Sequence, residues 1–143
     1  MKLAVIRIRG IRNIQPRIKK TLELLRLEKP NHCVVIDDSP QNIGMLNIVK
    51  DYVTYGSIEE ETLYKLLYKR GKKGATLLRN VSSESDIKKA ATAIAKGDKT
   101  IAFANPVFRL TPPSKGFKGI RQPYPEGELG KRDEIDSLLR KMM

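Results

Sequence analysis

The sequence has one cysteine, one histidine and no tryptophan among its 143 residues. A lone Cys33 cannot close an internal disulfide, and its neighbours Val34, Val35 and Ile36 mark it as a small buried hydrophobe. That usage fits a cytoplasmic location, where thiols stay reduced. One histidine and one cysteine cannot assemble a zinc site. His32 and Cys33 are neighbours in a predicted strand, so their side chains take opposite faces and form no catalytic dyad. His32 reads as a strand-edge residue. No apolar run approaches the ~20 residues that span a bilayer, and the opening MKLAVIRIRG lacks a signal-peptide layout. Glycine fingerprints for dinucleotides, Walker loops and nucleophile elbows are all missing. Nothing here calls for a cofactor, and an enzyme is not the expected class.

Charge is the quantity in excess. Twenty-eight Lys+Arg against sixteen Asp+Glu leave +12. The excess is uneven: residues 1–30 hold nine basic and two acidic residues, whereas 31–60 hold one basic and five acidic. A positive field of this size concentrates polyanions and rewards each phosphate contact by counterion release.

Residues 2–9 alternate in period two, with Ala4, Ile6 and Ile8 on one face and Val5, Arg7 and Arg9 on the other, which predicts a strand. Pro16 suits a first helical turn, and Ile14, Ile18, Leu22 and Leu25 follow at helical spacing until Pro30. Residues 32–36 form a nearly all-apolar second strand. Asp37-Asp38-Ser39-Pro40 caps a second helix over roughly 41–50, and 52–55 form a third strand. This β-α-β-α-β order predicts an α/β sandwich with helices on one sheet face, and both crossovers are long enough for parallel pairing.

The second half is less regular. Ser57 to Glu60 has capping-box spacing ahead of a helix ending near Gly71, and Ser83 to Asp86 repeats the pattern. Gly71-Lys72-Lys73-Gly74 reads as a flexible basic loop, and the chain from Arg132 to Met143 reads as a terminal helix with acids early and bases late. Between them, 105–130 is rich in proline, glycine and basic residues.

Two chemistries compete. Adjacent Asp37 and Asp38 at a strand end resemble a Mg²⁺ phosphoryl-transfer site, but the simpler reading is helix capping, and no third acid or phosphate-binding turn accompanies them. RNA binding has more support. Arg7, Arg9 and Arg12 run along the first strand into its loop, with Asn13, Arg17 and Lys20 nearby, and arginine forks pair with phosphate oxygens. Lys72 and Lys73 add a second cluster. In Arg109-Leu-Thr-Pro-Pro-Ser-Lys-Gly-Phe-Lys-Gly-Ile-Arg121, prolines exclude regular structure, and Phe117 between Lys115 and Lys118 offers a base-stacking surface.

Three early stretches, Ala4-Val-Ile-Arg-Ile-Arg-Gly10, Thr21-Leu-Glu-Leu-Leu-Arg-Leu27 through Asn31-His-Cys-Val-Val35, and Gly44-Met-Leu46 through Lys50-Asp-Tyr-Val-Thr54, carry a family pattern. Arg109-Leu-Thr-Pro-Pro113, Gly116-Phe-Lys-Gly119 and Leu129-Gly130 complete it. In these the chain resembles the L-thirty family of large-subunit ribosomal proteins in its archaeal form, whose eukaryotic relative is called L-seven. The resemblance implies a ferredoxin-like core over 1–58 and, over 59–143, a helical and Pro/Gly-rich basic extension packed on the core and reaching into RNA. It implies large-subunit rRNA as partner, proximity to 5S rRNA, and neighbouring large-subunit proteins. By match to motif, Arg7, Arg9, Arg12 and Asn13 fall in the basic first strand and loop, and Lys115, Phe117, Lys118 and Arg121 in the reaching extension. The alternatives are a non-ribosomal RNA- or DNA-binding protein and the Asp37/Asp38 phosphoryl-transfer protein.

Overall fold

Strand β1 (Lys2–Arg7) is buried along its whole length, because it is the middle strand of a sheet covered on both faces. The computed structural model describes residues 2–9, 14–73, 75–77, 80, 83–96, 107–114, 116, 127, 129–132 and 135–142. After β1 come α1 (Pro16–Leu24), β2 (His32–Asp37), α2 (Pro40–Val49), β3 (Val53–Ser57) and α3 (Glu60–Arg70). A hairpin of β4 (Lys72–Lys73) and β5 (Thr76–Leu77) precedes α4 (Glu84–Ala95), β6 (Val107–Arg109), β7 (Gly130–Lys131) and α5 (Ile135–Met142). The predicted α/β class and ferredoxin-like β-α-β-α-β core are present.

The sheet order is β6-β2-β1-β3-β7. β1 is antiparallel to both β2 and β3, with Val5 opposite Val34 on one side and Tyr55 on the other. The parallel pairing that the crossover lengths allow is therefore not the one sequential strands adopt. β2 and β3 do run the same way, but β1 lies between them, so α2 is the one true crossover of the core.

The two core helices, α1 and α2, share one face as expected, and the later helices cover the other. On the first, Leu3, Val5, Val34, Val53 and Tyr55 pack against Leu22 and Leu25 of the α1 segment and Leu46 and Val49 of α2. On the second, Ala4, Ile6, Cys33 and Phe108 meet α3, α4 and α5 through Leu63, Leu66, Ile87, Ile94, Ile135 and Leu139. Each such side chain contributes roughly 1.5–3 kcal/mol by leaving water. The second half of the chain thus completes the core and supplies both edge strands.

Local signals set most helix starts. Ser39 Oγ accepts from the Asn42 amide at 3.3 Å with Pro40 at the first helical position, and Ser83 Oγ accepts from Asp86 at 3.3 Å. At α3 the anticipated capping box does not form. Glu59 is the cap residue, and its amide donates to Asp136 Oδ1 of α5 at 3.2 Å. α1 stops at Leu24, before Pro30: Leu27 N–H returns to Leu22 O at 2.9 Å and Arg26 N–H to Glu23 O at 3.0 Å, a Schellman closure. Arg26 holds the left-handed position of that closure at φ 63°.

Gly56 serves a close approach. A Cβ there would lie 2.6 Å from the Arg132 carbonyl oxygen, where the chain leaving β7 enters α5. In the predicted basic loop, Lys72 and Lys73 are not free but pair with Leu77 and Thr76.

Candidate nucleic-acid interface

The pairing register lines up one transverse row of side chains at one end of the sheet. His32 faces Arg109 across β2 and β6, Ile6 faces Cys33, and Arg7 faces Val53. The row therefore reads Arg109, His32, Arg7, Val53, all on the α1/α2 face. The segment after α1 passes over this end and brings Lys29 and Glu28 near His32. Just past β1, the Ile8 and Arg9 amides both donate to Tyr52 O, at 2.9 and 3.2 Å. Arg9 then lays its guanidinium over the Tyr52 ring, 4.8 Å from the centroid, and donates to the Asp51 carbonyl at 3.5 Å.

Within the row the two ends and the middle differ. Arg7 was expected to project outward with Arg9, yet it is only 3% exposed. Its Nε donates to Arg9 O at 3.0 Å and its Nη1 to Leu27 O at 2.7 Å. Burial lowers its pKa below the usual arginine value, with Tyr52 opposing, but a guanidinium stays charged. Arg7 is thus a buried cation that fixes the Arg9 backbone and the turn after α1. Period-two spacing had assigned its face correctly; it could not show that the α1 turn closes over that face.

Arg109 and Lys29 are exposed and His32 is half-buried. The His32 pKa is lowered, first by burial and then by Arg109 and Lys29, with Glu28 opposing and Arg7 adding to the fall. Arg109, Lys29 and Arg7 around this imidazole make a local positive potential of the kind that draws phosphate. Asn31 borders the same corner at φ 67°, with its amide on Arg7 O at 2.8 Å and its carbonyl accepting from Leu110 at 3.1 Å. Its buried Oδ1 has no hydrogen-bond partner among the described residues.

The other anticipated residues are placed as follows. Arg17 and Lys20 are exposed on α1, outside the row, and Lys72 is half-buried in the β4–β5 hairpin. Arg12, Asn13, Lys115, Phe117, Lys118 and Arg121 lie outside the described residues, as does the side chain of Lys73. The stretch opening the 109–121 segment is anchored: Leu110 and Pro113 are buried, and the Thr111 amide and hydroxyl both donate to Met142 O, at 3.1 and 2.9 Å. Sequence reasoning missed Lys29 and read His32 chiefly as a strand-edge residue with a small chance of touching RNA, because only the β2–β6 pairing brings His32 and Arg109, 77 positions apart, together.

The acidic pair offers no metal cradle. Asp37 forms an ion pair with Lys2, and Ser39 caps α2, while Asn42 Nδ2 donates to the Asp37 carbonyl at 2.9 Å. Among the described residues no group of three His, Cys, Asp or Glu side chains converges. No helix there is long and apolar enough to cross a membrane. Cys33 is fully buried, which pushes its thiol up to about 12 and leaves it inert.

A family model described as ribosomal protein L30p/L7e matches residues 3–53, the β1-to-β3 core. The chain is 45% identical to the large ribosomal subunit protein uL30 of Archaeoglobus fulgidus, covering 97% of this chain and 98% of that one. The uL30 proteins of Methanocella arvoryzae and Methanococcus maripaludis are 41% and 40% identical, the latter over the full length of both chains.

Proposed function

Because the chain belongs to the ribosomal protein L30p/L7e family of the large subunit, we propose that it holds large-subunit rRNA at the sheet end formed by Arg9, His32, Lys29 and Arg109. Its role is structural and its place the cytoplasmic ribosome; the phosphoryl-transfer reading falls with the family assignment. The carrying observation is the His32–Arg109 register, which gathers cations from β1, the β2 approach and β6 at one edge. Exposed Arg109 and Lys29 meet phosphates, and His32 becomes protonated as a phosphate approaches. Within the expected 105–130 arm, Val107–Arg109 and Gly130 belong to edge strands of the sheet; the remainder, led out by the anchored Leu110–Pro113 stretch, enters RNA beside this edge. Lys115, Phe117, Lys118 and Arg121 supply its cations and stacking surface, and Arg12, Asn13, Arg17, Lys20, Lys72 and Lys73 add phosphate contacts around it. In this reading 1–58 is the platform and 59–143 the extension, and the rRNA neighbourhood includes 5S.

Hydroxyl-radical footprinting on assembled large subunits, with a cleavage probe tethered in turn beside Arg109 and at Lys20, tests the placement. Strong rRNA cleavage from the Arg109 side, reaching 5S from at least one position, is the expected result. An equal or weaker signal there than from exposed Lys20 would overturn the assignment of this edge.

A further inference from the structure

Helices α3 and α5 lie side by side and run the same way, and their charges separate along that direction. Their starts are joined where the Glu59 amide donates to Asp136 Oδ1 at 3.2 Å. Their ends are joined through Thr111, whose hydroxyl donates to Met142 O at 2.9 Å and accepts from Arg70 Nη2 at 3.5 Å. Glu60, Glu61 and Asp136 stand at the first end, and Lys69, Arg70, Arg140 and Lys141 at the second. Lys69, Arg140 and Lys141 are exposed, and Arg70 is half-buried. Three acid-free stretches of the sequence supply the basic end. Residues 62–83 hold six basic residues, 99–125 hold five and 137–143 hold two. The neighbouring acid on α4 is Glu84, which accepts from the Tyr64 hydroxyl at 2.8 Å, more than a turn before Arg70.

Basic side chains near a helix end usually answer its negative pole. Part of that is already done by the backbone here. The Met142 carbonyl takes the Thr111 amide and hydroxyl, and the Leu67 carbonyl takes the Gly71 amide at 3.0 Å. Among the described residues, Lys69, Arg140 and Lys141 enter no ion pair. Like charges gathered from two helices repel one another until an anion lies against them.

We infer that this end of the α3/α5 layer is a second rRNA phosphate site, on the other side of the arm from Arg109. Its position supports the assignment. Thr111 follows Arg109 by two residues, and Pro113 leads into the arm that carries Lys115 and Lys118. The root of the arm thus stands between Arg109 and Lys29 on the α1/α2 side and the α3/α5 cations on the other. A polyanion that the arm enters passes both sets. Charge separates RNA from protein as occupant: lysine is depleted at protein–protein contacts, whereas a phosphate run takes one sign of charge from several elements. The inference rests on the proposed rRNA-entering arm and uses none of the sheet-edge residues.

Two measurements on the full chain test it. A photo-cross-linking residue at Lys141 in purified large subunits should yield an rRNA adduct. A protein adduct alone, or none, would overturn the inference, even where the same residue at Lys29 reaches rRNA. The reverse pattern, rRNA from Lys141 and none from Lys29, supports this site and fails the sheet edge instead. The second measurement uses the rRNA fragment that carries the Lys141 adduct. Lys69→Ala, Arg140→Ala and Lys141→Ala together should shallow its salt slope by about two units. Removing three exposed lysines from α4, by Lys88→Ala, Lys89→Ala and Lys96→Ala, should leave the slope within about half a unit of the parent. Equal slopes in the two triple variants would trace the effect to net charge and overturn the site.

Discussion

The guanidinium of Arg7 reaches across the end of the sheet to the Leu27 carbonyl, 2.7 Å away, and closes the turn that follows α1. A residue that reads as a phosphate contact is thereby part of the support beneath the contact surface. Arg7→Met should cost about 2 kcal/mol or more of unfolding free energy, since it leaves the Leu27 and Arg9 carbonyls without this donor. Arg7→Lys should recover only part of that, because an ammonium lacks the planar fork that serves both acceptors. Urea denaturation measures both. A Met variant as stable as the parent would show that the buried fork is dispensable.

The rim cations should behave differently, with Lys29 and Arg109 exposed and Arg9 half-buried. Lys29→Ala and Arg109→Ala should leave stability nearly unchanged, and Arg9→Ala should cost only its contacts with Tyr52 and the Asp51 carbonyl. Each should reduce the slope of log affinity against log salt by about 0.7–0.9 if it meets one phosphate. Fragment binding across a potassium chloride series reads the slope directly. Parent-like slopes in all three would remove this edge from the RNA contact.

His32 gives a pH signature with two signs. In the free protein its pKa lies below 6.5, so between that depressed value and 6.5 the unfolded chain binds more protons than the folded one. The contribution of His32 to stability is therefore fully present above pH 6.5 and is lost as the pH falls through the folded pKa. Bound phosphate reverses the preference, so rRNA affinity should rise as pH drops from 7.5 to 6. His32→Gln should flatten both trends, measured by thermal melts and by fragment binding at matched salt.

Gly56 and Gly44 make a pair of opposite sign. Alanine at Gly56 places a methyl 2.6 Å from the Arg132 carbonyl oxygen and should destabilise by roughly 1–3 kcal/mol, with faster amide exchange in α5. Alanine at Gly44 enters open space and should stabilise the isolated chain by about 1 kcal/mol. Loss of stability at Gly44 would mean that α2 is constrained by something other than helix propensity.

Sequence periodicity located β1, α1, β2, α2 and β3, and the local cap signals at Ser39 and Ser83 are realised as hydrogen bonds. What stayed hidden is nonlocal. Strand direction was not legible, because a nine-residue helix permits either return. The second helical layer was not legible either, because residues 59–143 had to fold onto a sheet defined by residues 2–57. The Ser57 box looked as good as the Ser83 box; Asp136, 77 positions from Glu59, displaced it. For the site, residue type identified the arginines, but only the sheet register separated a buried brace at Arg7 from an outward cation at Arg109.

The central position of β1 has a consequence for the order in which the molecule is completed. The first strand synthesised is the one both inner neighbours add to, so three strands and two helices are available by residue 57. At that moment the outer edges of β2 and β3 are bare, and Ala4, Ile6 and Cys33 have no layer above them. The edge strands and the terminal helix arrive from residues 107–142, half a chain later. An emerging chain therefore passes through an interval with two unpaired strand edges and an open apolar face, the arrangement most prone to wrong pairing. Chains cut short before β6 would keep the outer edges of β2 and β3 bare even with α3 and α4 laid over the second face.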